Sequence, residues 1–474
     1  METIDVDVLV CGGGMSGMAC AAFAAGSDAK VLVVEKQPEI GGSSNYSAGM
    51  FWAPQTYQKL RDWVPEGDPE LQKAWLKDYL PAVQWMRENG VPTADRFDGI
   101  MTIGIGFPVK IPHLHSLHRE RIQSSKTRSE IFTNTSVVKL NQQQPEVSGS
   151  RVTGAVIRRK FPDSSAVCYN VNAKLVVLAT GGFQGSSELT AKYLGQGGDN
   201  IFVRSNPGSV GDGLKLAIEA GAGTSRGMST YYGHLLAAPL RVEDVNPKDY
   251  LPLAQYQSKH CLLLNEGGKR FADESMGDEI VNQYLAKQEK RRGFILFNEK
   301  TRVQHCITAL FPNAGDIDRL QKAREHGCNV GSSPTLTGLG DILHEWGVDR
   351  TRARRTIEDY DQVVRLGNKS ITLDAPIGRG GPPTFTSGRW RGALLCHGGP
   401  TIDHFHLRRI PGLLVAGVDA GGFSNVGYAG GLALAFVTGL WAAREVTRQL
   451  GLPEPRLPAA DARDGGEMPS RGRL

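Results

Sequence analysis

Much that would narrow this chain to an unusual class is missing from it. Its seven cysteines, Cys11, Cys20, Cys168, Cys261, Cys306, Cys328 and Cys396, contain no CxxC pair and are odd in number. Several lie inside apolar runs, which reads as buried thiols in a reducing compartment. No stretch of 18 residues lacks both charge and dense glycine, so no membrane-spanning helix is expected. The opening METIDVDVLV is acidic and runs straight into a strand, unlike a secretory signal, and a cytoplasmic location is expected. A large excess of positive charge is also absent. The 54 Lys and Arg against 49 Asp and Glu leave +5, too little and too dispersed for a nucleic-acid partner. The GxSxG, P-loop and Cys-based disulfide-reductase motifs do not occur. Hydrophobic residues at 40% and charged residues at 22% exclude a chain that is disordered throughout.

Glycine is what the sequence has in excess, 58 in 474 residues, without a collagen-like period and gathered in a few short stretches. Such clusters bring backbone close to a ligand or force tight turns. Three of them end apolar runs of the kind found in a parallel sheet covered on both faces. VDVLVCG and KVLVVEK lie within Val6 to Gly49, KLVVLATGG spans Lys174 to Gly182, and GLLVAGVDAGG opens Gly412 to Ala443, ahead of the apolar helix LALAFVTGLWAAREV. The more polar segment between the second and third, residues 231–374, reads as an inserted domain. That leaves 1–230 and 375–450 as one discontinuous α/β domain, and 451–474, rich in Pro, Gly and mixed charge, as an unstructured tail.

Gly12-Gly13-Gly14-Met15-Ser16-Gly17 follows a strand and precedes a small-residue helix, and Glu35 closes the next strand. In this GxGxxG pattern Gly12 makes the tight turn, Gly14 lets the backbone approach a pyrophosphate, and Gly17 lets the helix pack on the strand. The helix start offers free N–H groups and partial positive charge to phosphates, and Glu35 can accept ribose hydroxyls. Lys36 and the loop Gly41-Gly42-Ser43-Ser44 come next, offering further N–H groups to a longer cofactor. No second unit of this kind follows, because Gly181-Gly182-Phe183-Gln184-Gly185 lacks the spacing, so one dinucleotide is expected.

CGGGMSG, VVEKQPEIGGSSNYSAGMFW, VVLATGGFQGS, NPGSVGDGLKLAIEAGA, LLLNEGGKRFADE and PGLLVAGVDAGGFSNVGYAGGLALAFVTG stand in that order. Together they resemble the fumarate reductase/succinate dehydrogenase flavoprotein superfamily, nearest to members like 3-ketosteroid 1-dehydrogenase and tricarballylate dehydrogenase. The resemblance spans almost the whole chain. It implies a Rossmann-like FAD-binding domain of the glutathione-reductase type carrying an inserted α+β capping domain. It also implies cofactor contacts at Gly12, Gly14, Met15, Ser16, Gly17, Glu35 and Lys36, and at Gly42, Ser43, Ser44, Ala48, Gly49 and Met50. Val137 would offer backbone to adenine, and Ala179, Thr180 and Gly181 would pass under the dinucleotide. Asp212 would add a contact, Asp419 would take ribityl hydroxyls where the family usually has Glu, and the helix starting near Gly431 and Leu432 would face the flavin. Family members with covalent flavin place a histidine near Ser43 and Ser44; none stands there, so non-covalent FAD is expected.

The departures bear on the chemistry. The family's proton-donating arginine falls four residues after the Glu of RFxxE, and in Arg270-Phe271-Ala272-Asp273-Glu274 that position is Asp278. The carboxylate-clamping arginine, two positions before Gly430-Gly431, is Tyr428. Loss of both guanidinium groups disfavours a dicarboxylate substrate. Tyr428 resembles the tyrosine with which ketosteroid dehydrogenases hold a ketone oxygen, and a neutral donor there would acidify the adjacent C–H. In Tyr231-Tyr232-Gly233-His234, His234 would orient substrate or shuttle a proton, with Tyr232 as the alternative base. His397 in LLCHGGP and Arg389 or Arg391 in SGRWRG are further candidates. The spacing of His113, His115 and His118 does not suit a metal, and no metal is expected. The expected activity is FAD-dependent hydrogen transfer across a CH–CH bond next to a carbonyl of a small molecule, with the electron acceptor left open. A tricarballylate- or fumarate-type enzyme and a non-redox flavoprotein are the alternatives.

Overall fold

A computed structural model describes all residues except 102, 196–197, 199–200, 225–227, 242–244, 247–248, 289, 310–314, 367–385, 397–409, 425–426 and 466–474. For 363–366, 386–396, 462 and 465 it describes the backbone alone. The chain divides into two compact units, Met1–Ser186 with Asn206–Met228 and Cys396–Leu474, and Ser187–Ser205 with Ser229–Leu395.

The first unit is built on a seven-stranded sheet. Strand Glu2–Cys11 lies between Val31–Val34 and Ala166–Leu178, parallel to both, and Glu130–Phe132 extends the sheet beyond Val31–Val34. The long strand Ala166–Leu178 changes partner along its length. Its first half pairs antiparallel with Val152–Lys160, and its last residues pair parallel with Leu413–Val415. The unbroken apolar runs follow from burial on both faces, with successive residues sorted to opposite cores. Val8, Val10, Val31, Val33 and Val177 join one cluster with the helices Met15–Gly26 and Gly431–Leu450. Leu9, Cys11, Leu32, Val34 and Val176 join another with Leu216 and Ala217.

The helix Met15–Gly26 is alanine-rich because it is covered nearly all round. Its neighbour Gly431–Leu450 approaches so closely that a Cβ on Gly439 would stand 2.3 Å from the Ser16 carbonyl oxygen. The tail beyond Gly451 departs from expectation. Leu452 and Leu457 pack on the core, Arg87 pairs with the Asp464 carboxylate, and Arg96 donates to the Asp464 carbonyl at 2.6 Å. Two isolated leucines and one acid carry no periodic signal, yet they dock the segment as far as residue 465.

The second unit is an α+β arrangement around the strand Thr386–Cys396, which pairs antiparallel with Leu235–Ala238, Arg292–Phe297 and Val330–Ser332. Helices Leu336–Glu345 and Arg350–Leu366 pack on the faces of Leu262–Asn265 and Arg292–Phe297. The unit starts earlier in sequence than the expected 231–374. Phe202 and Val203 pair with Ala393 and Leu394, and the Phe202 ring meets Tyr250 edge-on at 5.8 Å, which ties residues 187–205 to this unit. Five free cysteines, Cys11, Cys20, Cys261, Cys306 and Cys328, are buried, whereas Cys168 is exposed. Among the described residues no helix is long and apolar enough to cross a membrane.

Candidate functional site

In the first unit the glycine loop makes a cradle whose three glycines do different things. Gly12 has φ +110°, and a Cβ there would sit 2.2 Å from the Ala179 carbonyl oxygen. A Cβ on Gly17 would lie 1.9 Å from the Gly12 carbonyl oxygen, so helix and strand touch through backbone. A Cβ on Gly14 would meet nothing within 4 Å. Gly14 precedes the first turn of Met15–Gly26, which has neither an acidic residue nor a side-chain cap, so its leading N–H groups face the open side of the loop. That is where a phosphate gains most from the helix terminus.

Glu35 is buried and holds the loop shape. Its carboxylate accepts from Gly13 N–H and Gln37 N–H, both at 2.7 Å. The second loop is fastened to the first, Gly41 N–H donating to Gly13 O at 2.8 Å. Ser43 is half-buried, Ala48 exposed, and Gly49, with φ +78°, bonds Val109 through its carbonyl. Ser44 is fixed from elsewhere in the sequence, its hydroxyl donating to Gly41 O and meeting His115 Nε2 at 2.7 Å. Burial pushes the His115 pKa down to about 4.

The stretch Ala179–Gly181 is gripped by Asp419, whose carboxylate accepts from Thr180 N–H and, at 3.1 Å, from Gly181 N–H. Burial raises Asp419 to about 7. Thr180 in turn accepts from Gly213 N–H at 2.9 Å, and the neighbouring Asp212 pairs with Lys36 at 2.6 Å. Direct contacts thus link Gly12 with Gly17 and Ala179, Gly13 with Glu35, Thr180 and Gly181 with Asp419, and Lys36 with Asp212, while Gly14, Met15, Ser16 and Gly42 adjoin them along the chain. Met50 opens the strand Met50–Pro54, and Val137 lies in Thr135–Gln142 opposite Ile157 at a register shift. Glycine turns, open amides and a buried acid at the second strand fit a dinucleotide.

Tyr428 stands just before the helix Gly431–Leu450. Its hydroxyl accepts from Gly431 N–H at 2.6 Å, its carbonyl accepts from Trp63 Nε1 at 2.9 Å, and its ring meets Trp52 edge-on at 5.5 Å. A hydroxyl that accepts from a helix-start amide is polarised and becomes a better donor through its own hydrogen.

In the second unit, residues far apart in sequence form a hydrogen-bonded chain. The Tyr232 hydroxyl lies 2.7 Å from His234 Nε2, and His234 Nδ1 lies 2.7 Å from Asp278 Oδ2. Burial, reinforced by the Arg204 charge, drives the His234 pKa down to about 3, so the imidazole is neutral at working pH. With a carboxylate on Nδ1, the ring proton belongs there and Nε2 is the acceptor for Tyr232. Asp278 and Glu279 open the helix Asp278–Leu285. Burial raises Asp278 to about 6, and burial together with the Asp278 charge raises Glu279 to about 8. The two carboxyls are hydrogen-bonded to each other, and burial with their mutual repulsion lets the pair hold one proton between them near neutral pH. Ligand atoms of His234, Asp278 and Glu279 lie within 4.8 Å of one another, and His234 Nδ1 donates to Asp278.

Sequence reasoning reached Tyr232 and His234 from a local pattern, and met Asp278 only as a departure. It missed Glu279, Tyr256, which meets the His234 ring edge-on at 4.9 Å, and Arg204. The Arg204 guanidinium lies beside the Tyr256 hydroxyl and bears electrostatically on His234 and Asp278. A guanidinium is therefore present near Asp278, although neither arginine position of the resemblance holds one. Arg270 and Glu274 form a buried ion pair that also fixes Leu263 N–H at 3.0 Å, as their spacing suggests. His397 lies outside the described residues. Arg389 and Arg391 lie in Thr386–Cys396, and their side chains are likewise outside them.

The family model described as FAD binding domain matches residues 7–431. The chain is 29% identical over 295 residues to the vinyl phenol reductase of Lactiplantibacillus plantarum, covering 57% of each protein. It is 25% identical over 470 residues to the NADH:fumarate oxidoreductase of Klebsiella pneumoniae, covering 90% of this chain and 46% of that one. The chain thus spans about half the length of these curated relatives. Among solved structures, the 3-ketosteroid Δ1-dehydrogenase of Sterolibacterium denitrificans shares its fold, with TM-score 0.70 and 16% identity over 94% of this chain and 100% of that one.

Proposed function

The chain belongs to the FAD binding domain family, and on that premise we propose that it is an FAD-dependent oxidoreductase acting on a CH–CH bond next to a carbonyl. The observation that carries this reading is the Tyr232–His234–Asp278 chain, with 2.7 Å at each link. Bound FAD supplies the acceptor for a hydride at its N5. The protein's own residues handle the proton and the carbonyl. In dehydrogenation the carbon beside the carbonyl gives its proton to the Tyr232 oxygen as the Tyr232 proton passes to His234 Nε2. The adjacent carbon loses hydride, and a C=C bond remains. As Nε2 takes that proton, His234 passes its Nδ1 proton to the Asp278 carboxylate and stays neutral. Ene reduction is the same sequence reversed. Tyr428, its hydroxyl polarised by the Gly431 amide, donates to the carbonyl oxygen as negative charge builds there.

The cofactor is held without a covalent bond in this reading, which is supported by His115 keeping Nε2 on the Ser44 hydroxyl. The names of the relatives, a vinyl phenol reductase and a fumarate oxidoreductase, point to the same bond type at small conjugated substrates. Five buried free thiols support a cytoplasmic setting. The test is anaerobic addition of cyclic and acyclic ketones to the FAD-loaded protein. Loss of the oxidised flavin absorbance with at least one ketone is expected, and a flavin that no ketone reduces, nor any enone reoxidises, would overturn the reading.

A further inference from the structure

His115 and His118 lie one turn apart on the helix Ile111–Gln123, both buried and neither used in the reaction described above. They differ in what their ring nitrogens meet. Neither nitrogen of His118 has a hydrogen-bond partner, and its ring packs against Phe436 at 5.9 Å and Trp85 at 6.0 Å. His115 makes one bond, from Nε2 to the Ser44 hydroxyl at 2.7 Å, while its Nδ1 is buried and unpartnered. The Ser44 hydroxyl has a single hydrogen, which goes to Gly41 O. Toward the imidazole it can therefore only accept, so His115 carries its proton on Nε2 and leaves Nδ1 bare. Burial keeps the ring neutral near pH 7.

The same contacts reach the backbone. Ser44 holds Gly41 O twice, through its hydroxyl and through its N–H at 3.1 Å. A trans peptide sets its N–H opposite its C=O, so the grip on Gly41 O also fixes where the Gly42 N–H points. Gly42 faces the first glycine loop, where a Cβ on it would stand 3.4 Å from Gly14 Cα. We infer that His115 is a positioning residue for the cofactor: as the donor to Ser44, it holds the Gly41–Ser44 loop in the shape that binds FAD. The inference rests on the reading that this loop lines the FAD site, and it is independent of which bond the flavin oxidises.

FAD dissociation constants of the reconstituted protein, read by flavin fluorescence, test this without turnover. His115→Phe fills similar space without the donor and should weaken FAD binding about tenfold, the margin of one hydrogen bond. His115→Gln, whose amide N–H reaches the place of Nε2, should restore most of that loss, whereas His118→Phe should leave the affinity unchanged. In a Ser44→Ala background His115→Phe should have no further effect, because the imidazole acts only through that hydroxyl. Nitrogen NMR of the labelled holoprotein should place the His115 proton on Nε2 near pH 7, a readout that stands even where His115→Phe does not fold. Undiminished FAD binding by His115→Phe, a full loss that persists in the Ser44→Ala background, or a proton on Nδ1 overturns the inference. Any of these in a protein whose flavin bleaches with ketones refutes the positioning role alone. The expected affinities in a protein whose flavin never bleaches refute the redox reading alone.

Discussion

Alanine at two glycines of one loop separates cofactor binding from folding. Gly14 has φ −75° and ψ −172°, an extended conformation open to any residue, and its Cβ would meet no protein atom within 4 Å. Gly14→Ala should therefore leave the stability of the cofactor-free protein within about 0.5 kcal/mol of the original. A methyl group on the open face keeps the pyrophosphate from the leading amides of Met15–Gly26. FAD affinity should fall by about 10- to 100-fold, or about 1.4 to 2.7 kcal/mol. Gly17→Ala acts in the opposite way. Its Cβ would stand 1.9 Å from the Gly12 oxygen, so helix and strand must part by about 1 Å. That costs about 1–3 kcal/mol before any cofactor is added. Urea denaturation of the stripped proteins measures the first quantity, and quenching of FAD fluorescence on titration measures the second. Equal destabilisation by the two variants, or undiminished FAD binding by Gly14→Ala, would refute the assignment of the loop.

Three further outcomes are expected. Because Asp278 titrates near 6, the rate should fall as pH drops through that value, and Asp278→Asn should lower it by roughly 100-fold or more and remove that limb; a limb that persists in the variant's pH–rate profile contradicts the role. Tyr428→Phe should keep FAD but lower turnover by roughly 100-fold, with about 1 kcal/mol of stability lost from the unaccepted Gly431 amide; steady-state rates and thermal melts read both, and full turnover would remove the residue from the mechanism. Asp419 holds its proton up to about 7 when folded but only to about 4 when unfolded, so the folded state binds more protons in that window. Cofactor-free protein should thus lose up to about 4 kcal/mol as pH rises from 4 to 7, and Asp419→Asn should lack that slope in denaturation curves taken across it.

The geometry of the glycine loop was legible in the sequence because its requirements are local. A turn at φ +110° and a backbone contact where no Cβ fits admit only glycine, and Gly12, Gly14, Gly17 and Glu35 fall within 24 residues. The hydrogen-bonded Tyr232–His234–Asp278 chain was only half legible. Tyr232 and His234 are neighbours in a short motif, but Asp278 and Glu279 come from a helix more than 40 residues on, and Arg204 from a segment expected in the other domain. Burial makes that chemistry, shifting His234, Asp278 and Glu279 in different directions, and burial belongs to the assembled unit rather than to any window of residues. His115 shows the same limit. Its helix brings an imidazole to Ser44 from 71 positions away.

The central claim, that a phenol linked through an imidazole to a buried carboxylate moves the substrate proton, is tested most directly by rapid mixing of FAD-loaded Tyr232→Phe with a reducing ketone under argon. The account predicts flavin bound as in the unaltered protein and reduced roughly 100-fold more slowly. Reduction at the unaltered rate would contradict it.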